Sequence, residues 1–312
     1  MSISQYIKKI GRGSKGASDL TREEARDLFE KILHKKVSDL ERGAFCLAMR
    51  MKGETSDELL GFMDALDSQI LNLPLGTRPT IILPSYNGAR KQVNLVPLLA
   101  IKLQQAGWQV IVHGVTGDPS RLTTFAIWEQ LGWPILQAHQ TGNELLELGL
   151  PIFCPIQVLS PSLFELLQIR NTLGLRNTGH VLAKLINPFR NQKKDLPIWQ
   201  ISNYTHPEYP KVLDQFFISR KVNAILMRGN EGEPVASVKR LPKLTFLTSG
   251  GSVRELPEIY FSDDIHIDSA SVTATAEFTQ LAFNKPANCP SALQAQINAI
   301  MTHTDFKGSH LR

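Results

Sequence analysis

The sequence predicts an α/β protein in two parts: a small helical domain, then a large domain with a mainly parallel central sheet. Three observations carry this. Residues 19–72 show apolar positions at helical spacing, opened by three capping signals. Pro74, Gly76 and Pro79 then punctuate the chain. Beyond them, short β-branched runs alternate with helical patterns, which is the signature of βαβ units.

In the helical part, Thr21 and Glu24, Ser38 and Glu41, and Thr55 and Glu58 each have the capping-box spacing. Leu28, Phe29, Ile32 and Leu33 form one stripe. Phe45, Leu47, Ala48 and Met51 form a second, and Leu59, Leu60, Met63 and Leu66 a third. Gly53 reads as a helix C-cap. These apolar faces exceed what three short helices bury among themselves. The bundle therefore packs on the rest of the chain or on a second copy.

The second part begins with a strand over 80–83, a helix around 95–106 and a strand over 109–112. A helix over 123–131 and a short strand over 134–136 follow. Helix returns over 161–186, strands are predicted over 198–201, 224–227 and 244–247, and a last helix over 291–302. The 312 residues suffice for one large domain or two smaller ones. No apolar run approaches the ~20 residues of a membrane span, and no signal peptide is legible. Cys46, Cys154 and Cys289 are odd in number and far apart, with neither a disulfide framework nor zinc spacing. These features predict a cytoplasmic protein without a membrane partner.

The most informative stretch is 80–94, where a β-branched run ends in the turn Ser85-Tyr86-Asn87-Gly88-Ala89-Arg90-Lys91. Ligands of α/β proteins bind where such strands run out. A phosphate cradle needs several glycines so that backbone N–H groups can close on the anion. This turn has one, Gly88, and carries Arg90 and Lys91 instead. Tyr86 leaves two readings open: it stacks on a base, or it fills the space of missing glycines.

Net charge is only +5, but its distribution is uneven. The first 18 residues, the stretch between Asp67 and Asp118, and that between Glu165 and Asp195 hold cations and no acid. If they share one side of the fold they make a positive face. The candidate phosphate-contacting residues are Arg90, Lys91, Arg170, Arg176, Lys184, Arg190, Lys193 and Lys194, with Arg12 and Lys15 in the Gly-rich N-terminal segment. Arg170 and Arg176 are six apart, about 600° of helix turn, so one of them at most is expected to meet a ligand. Lys184, Arg190, Lys193 and Lys194 surround the Asn187-Pro188 helix end, with no acid nearby in sequence. Gly11–Gly16 matches GxGxxG but follows no strand, and Asp263-Asp264 reads as a solvated acidic turn. No catalytic residue, cofactor or metal site is expected.

The stretch LTREEARDLFEKILHKKVSDLERGAFCLAMRMKGETSDELLGFMDAL, from Leu20 to Leu66, resembles the N-terminal helical domain of anthranilate phosphoribosyltransferases. RNTLGLRNTGHVLAKLINP, from Arg170 to Pro188, resembles that family's later helical signature. The resemblance implies a nucleoside phosphorylase/phosphoribosyltransferase-like fold, with a helical domain from 1–75 and about 160–190, and an α/β domain from 78–158 and about 191–312. The family's GTGGD loop and NxST element become Pro84-Ser85-Tyr86-Asn87-Gly88 and Asn94-Leu95-Val96-Pro97. Its KHGNR becomes Val112-His113-Gly114-Val115-Thr116, and its acidic metal pair falls on Pro234 and Val235. This pattern resembles the YbiB-type branch of the family. It implies a homodimer that binds DNA, with RNA as a further partner, through basic grooves and with little sequence preference, and that lacks transferase activity. Two alternatives stay open. One is a divergent phosphoribosyltransferase with an unidentified acceptor, carried by His113, Arg170 and Glu231. The other is a purely structural partner of an acidic protein.

Overall fold

The computed structural model describes residues 2–13, 15–140, 142–190, 196–262 and 271–304. Lys193, Lys194, Asp263 and Asp264 lie outside the described residues.

The chain opens with helix α1 (Ser4–Ile10), which sequence reading did not anticipate: it is short and has no side-chain cap. Helices α2 (Arg22–Leu33), α3 (Asp39–Lys52) and α4 (Ser56–Leu66) each begin at a complete capping box, on Thr21, Ser38 and Thr55. Each box satisfies two orphan backbone donors at once. Phe29, Phe45 and Phe62 meet at the centre of the bundle with ring centroids 5.1–6.1 Å apart. The third predicted stripe is wholly buried. The second divides: Phe45 is buried, with Cys46 and Met49 from outside the predicted stripe, while Leu47 and Met51 are exposed on the side of Leu40.

Strand β1 (Thr80–Ser85) leads through helix α5 (Val96–Gln105) to β2 (Gln109–Gly114). Helices α6 (Thr124–Gln130) and α7 (Asn143–Leu146) precede β3 (Ile152–Pro155). The strand expected over 134–136 is reduced to a single bridge from Ile135 to Phe153, and Ile152–Pro155 is the strand instead. The helix expected over 161–186 is broken. After α8 (Ile156–Leu159), it comprises α9 (Pro161–Leu173), α10 (Thr178–Leu182) and a 3₁₀ turn, Ala183–Leu185. Gly174, at φ +69, takes the left-handed conformation that ends α9.

The chain continues through β4 (Ile198–Tyr204), α11 (Tyr209–Arg220), β5 (Asn223–Arg228), β6 (Arg240–Leu241), β7 (Leu244–Leu247), β8 (Val253–Leu256) and β9 (Ile259–Tyr260). It ends on α12 (Val272–Asn284) and α13 (Ser291–His303). Among the described residues the main sheet has the order β3-β2-β1-β4-β5-β7-β8. The first five strands run parallel, β7 pairs antiparallel with β5, and β8 pairs antiparallel with β7. Helix α9 packs on α2, α10 packs on α3 and α4, and α11 packs on α4. The chain moves outward from β1 through β2 to β3, then crosses back to β4. The crevice between the C-terminal ends of β1 and β4 is therefore the topological switch point, where α/β folds bind ligands. Among the described residues no helix is long and apolar enough to cross a membrane.

Candidate functional site

At that switch point β1 delivers Ser85 into a tight turn. Gly88 sits at φ +71, and a Cβ there would stand 2.7 Å from the Leu122 carbonyl oxygen. The turn's backbone N–H groups already have anionic partners. Glu233, 2% exposed, accepts from Asn87 N at 2.7 Å and Gly88 N at 2.6 Å through Oε1. Its Oε2 lies 2.5 Å from Ser85 Oγ. Ser85 Oγ also lies 2.7 Å from Thr124 Oγ1, to which Asn94 Nδ2 donates at 3.0 Å. With one proton to give, Ser85 donates to the carboxylate and accepts from Thr124. The chain Asn94, Thr124, Ser85 thus converges on Glu233.

A second carboxylate serves the rest of the turn. Glu231 accepts from the successive amides of Arg90 at 2.8 Å, Lys91 at 3.0 Å and Gln92 at 3.1 Å. Burial pushes Glu231 up, but these three amides and the nearby Arg121 outweigh it and hold the carboxyl below its usual range. Arg121 Nη1 donates to both the Gly88 and Glu231 carbonyls, at 3.1 and 3.2 Å. For Glu233, complete burial raises the pKa against the pull of Ser85, Gly88, Asn87 and Lys184. Sequence reading missed this arrangement of Glu231 and Glu233. Both lie some 140 residues from the turn they fill.

Tyr86 is 3% exposed and shares a 2.7 Å hydrogen bond with His113 Nδ1. Of its two readings, filling space is the one the structure shows. Burial pulls His113 down to about 3, which leaves it neutral.

The predicted cations are dispersed. Arg90 and Lys91 are exposed and make no ion pair among the described residues; the same holds for Arg12 and Lys15. Arg170 donates to the nearly buried Asp118 at 3.0 Å. Burial alone would raise Asp118, but the hydrogen bonds from Ser120 and Arg170 hold it low. Arg176 lies beyond the end of α9, so helical phase does not separate it from Arg170. Burial and the charges of Arg170 and Arg121 pull Arg176 down. It lines a cleft of about 140 Å³ with Arg50, His180, Lys184 and Tyr209.

Lys184 and Arg190 correct the expectation that no acid approaches the Asn187-Pro188 helix end. Arg190 pairs with Asp67, which also accepts from Arg220 at 2.7 Å. Lys184 is part-buried and makes long hydrogen bonds, 3.4 Å, to the Asn203 and Gly232 carbonyls. Burial pulls it down to about 8, opposed by the charge of Glu233. The acid-free stretches therefore do not translate directly into one positive face. Acids from distant segments, namely Asp67, Asp118 and Glu231, reach into them.

The fold and this switch-point site define a phosphoribosyltransferase-like protein with a helical bundle at its N-terminus. The glycosyl transferase family's helical bundle domain matches residues 4–69. YbiB, an uncharacterised protein of Escherichia coli K12, is 41% identical over 254 residues, covering 80% of this chain and 78% of YbiB. The anthranilate phosphoribosyltransferase of Prochlorococcus marinus is 28% identical over 278 residues, covering 87% and 76%. The chain belongs, with YbiB, to the anthranilate phosphoribosyltransferase-like family. In fold it matches the Saccharomyces cerevisiae anthranilate phosphoribosyltransferase in complex with PRPP and Mg, at TM-score 0.68 and 16% identity, over 96% of this chain and 87% of that one. It also matches the Thermus thermophilus enzyme at TM-score 0.64 and 18% identity, over 90% and 83%.

These relationships correct the expectation that the protein is not an enzyme. Its relatives by sequence and its neighbours by fold include anthranilate phosphoribosyltransferases, which are enzymes. The altered motifs remove one known means of holding a diphosphate. They do not empty the switch point, which keeps Ser85, Asn94, Thr124, Arg121 and Lys184 within or beside its polar network.

Proposed function

We propose that this protein binds nucleic acid through the phosphate backbone, as a homodimer, with DNA as the principal polymer and RNA as a second. The observation that carries the reading is the turn at the tip of β1. Arg90 and Lys91 are exposed there and make no ion pair among the described residues, on a turn whose backbone is held by Glu233 and Arg121. A guanidinium fork and an ammonium on a fixed turn can meet successive phosphates at little ordering cost. Arg12 and Lys15 add exposed charge near the N-terminus, and Arg176, which makes no ion pair among the described residues, adds a cation in the cleft it lines with Lys184 and Tyr209. Phosphate contacts carry no sequence information, so the reading includes weak sequence preference.

Salt-dependent binding of labelled single- and double-stranded oligonucleotides, followed by fluorescence anisotropy, is the test. Affinity falls steeply with salt if cations displace counterions. Replacing Arg90 and Lys91 together by Ala flattens the log–log slope by ~2 at most and weakens all sequences about equally. Absent binding at low ionic strength, or an unchanged slope, counts against the proposal.

The homodimer rests on α3. Leu40, Leu47 and Met51 are 84%, 42% and 81% exposed and share one side of the helix. Leu47 and Met51 border an apolar groove with Ile7, Ile10, Ala44 and Ala48. A patch of this kind on a folded protein marks an interaction surface. Replacing Leu47 and Met51 together by Asp yields a monomer by sedimentation velocity, against a dimer for the natural chain. A monomeric natural chain overturns this part.

A further inference from the structure

We propose that Glu231 is an internal stand-in for a phosphate group: a carboxylate latch that occupies an amide nest on the β1 turn and yields it to a phosphate-bearing ligand. Three successive N–H groups, of Arg90, Lys91 and Gln92, converge on this one carboxylate at 2.8–3.1 Å. Consecutive amides turned toward one point form an anion-binding concavity, whatever anion fills it. Here the anion belongs to the chain itself.

Three features mark Glu231 as the displaceable member of the pair. It is part-exposed, whereas Glu233 is buried. Its backbone is held at φ +50, a left-handed conformation that a non-glycine residue adopts only at a steric cost. The next residue, Gly232, is at φ +91, and any Cβ there would collide with the Asn87 side chain. Glycine is unstrained there, and the close approach of Asn87 fixes it, so Glu231 has no freedom to relax while the latch is closed. Strain of this kind persists where the surroundings over-determine it, and here the amides do so.

The surroundings also suit an incoming phosphate better than they suit the carboxylate. Arg90 and Lys91 flank the nest with exposed side chains that make no ion pair among the described residues. Arg121 lies beneath it, donating to backbone carbonyls rather than to a carboxylate. When Glu231 swings out, the three amides remain in place, because Glu233 still holds Asn87 and Gly88. A phosphate then takes the amides and one or both flanking cations. The ligand class is a phosphate or diphosphate group, from a free diphosphate or from a nucleic-acid backbone. The latch stands independently of the nucleic-acid reading.

The experiment compares the natural chain with Glu231→Ala and Glu231→Gln. Isothermal titration calorimetry uses inorganic pyrophosphate in one arm and an oligonucleotide without terminal phosphates in the other. Glu258→Ala, at an exposed acid that pairs with Arg240 rather than with the turn, controls for net charge. Opening the latch tightens binding at least tenfold in Glu231→Ala, with Glu231→Gln between it and the natural chain, and Glu258→Ala changes it by less than twofold. A gain with pyrophosphate assigns the nest to free diphosphates, and a gain confined to the oligonucleotide assigns it to polymer phosphate. No gain in either arm, in a variant that unfolds cooperatively, overturns the proposal. Hydrogen exchange on the natural chain gives a reading that needs no variant. The amides of Arg90, Lys91 and Gln92 exchange slowly without ligand, and fast exchange overturns the latch.

Discussion

Asp64 and Asp67 at the end of α4, and Glu231 and Glu233 at the tip of β1, are two pairs of acids held by different parts of the chain. At the end of α4 the partners are side chains. Arg22 meets Asp64 at 2.6 Å, Arg220 meets Asp64 at 3.3 Å and Asp67 at 2.7 Å, and Arg190 closes the ladder on Asp67. Three guanidinium groups face two carboxylates, so the ladder keeps an excess of positive charge. Burial, then the charge of Arg220, pulls Arg190 down to about 10. At β1 the hydrogen-bonding partners are five backbone amides and one hydroxyl. Side-chain pairs adjust by rotamer. Amide nests exist only after the backbone has folded, so an acid that finds one reports the shape of a turn rather than the charge of a neighbour.

The sharpest way to break this comparison is to remove one acid from each pair. Glu233→Ala leaves two buried amides and Ser85 without their acceptor, and costs about 3–4 kcal/mol. Asp67→Ala leaves Arg190 and Arg220 facing each other, and costs about 2–3 kcal/mol. Denaturant unfolding at low and high salt separates them. The Asp67 penalty shrinks in part with salt because its partners are charges that keep some exposure, and the Glu233 penalty does not. Equal salt sensitivity would mean that Glu233 acts mainly through Lys184 rather than through the backbone.

What the sequence disclosed follows the same division. Local rules read well. Thr21, Ser38 and Thr55 all open helices through complete capping boxes, and the β-branched runs at 80, 109, 198, 224 and 244 are all strands. Weak local signals failed. Ile152–Pro155 is a four-residue strand bounded by Pro151 and ending on Pro155, and α1 carries no cap. Tertiary pairing was not legible at all. Arg190 and Asp67 are far apart in sequence, and the acid-free stretches looked unpaired because their partners lie elsewhere. Candidate cations at the β1 turn were legible as a position, but not the two glutamates that shape it. Nothing in an isolated Glu-Gly-Glu indicates which amides it will meet.

The smallest expected effect tests the geometry on which the latch depends. Glu231→Ala and Glu231→Gly both remove the carboxylate, so both lose the same hydrogen bonds to Arg90, Lys91 and Gln92. They differ in the backbone. Alanine keeps a Cβ at φ +50, where glycine has no steric penalty. Glycine also gains freedom in the unfolded chain, which offsets part of the relief. The net expectation is that Glu231→Gly is more stable than Glu231→Ala by about 0.5–1 kcal/mol. Paired thermal and denaturant unfolding resolve a difference of that size. If alanine is equal to or better than glycine, residue 231 does not hold a left-handed conformation in solution. The carboxylate then reaches the amides without strain, and its readiness to leave them must come from exposure alone.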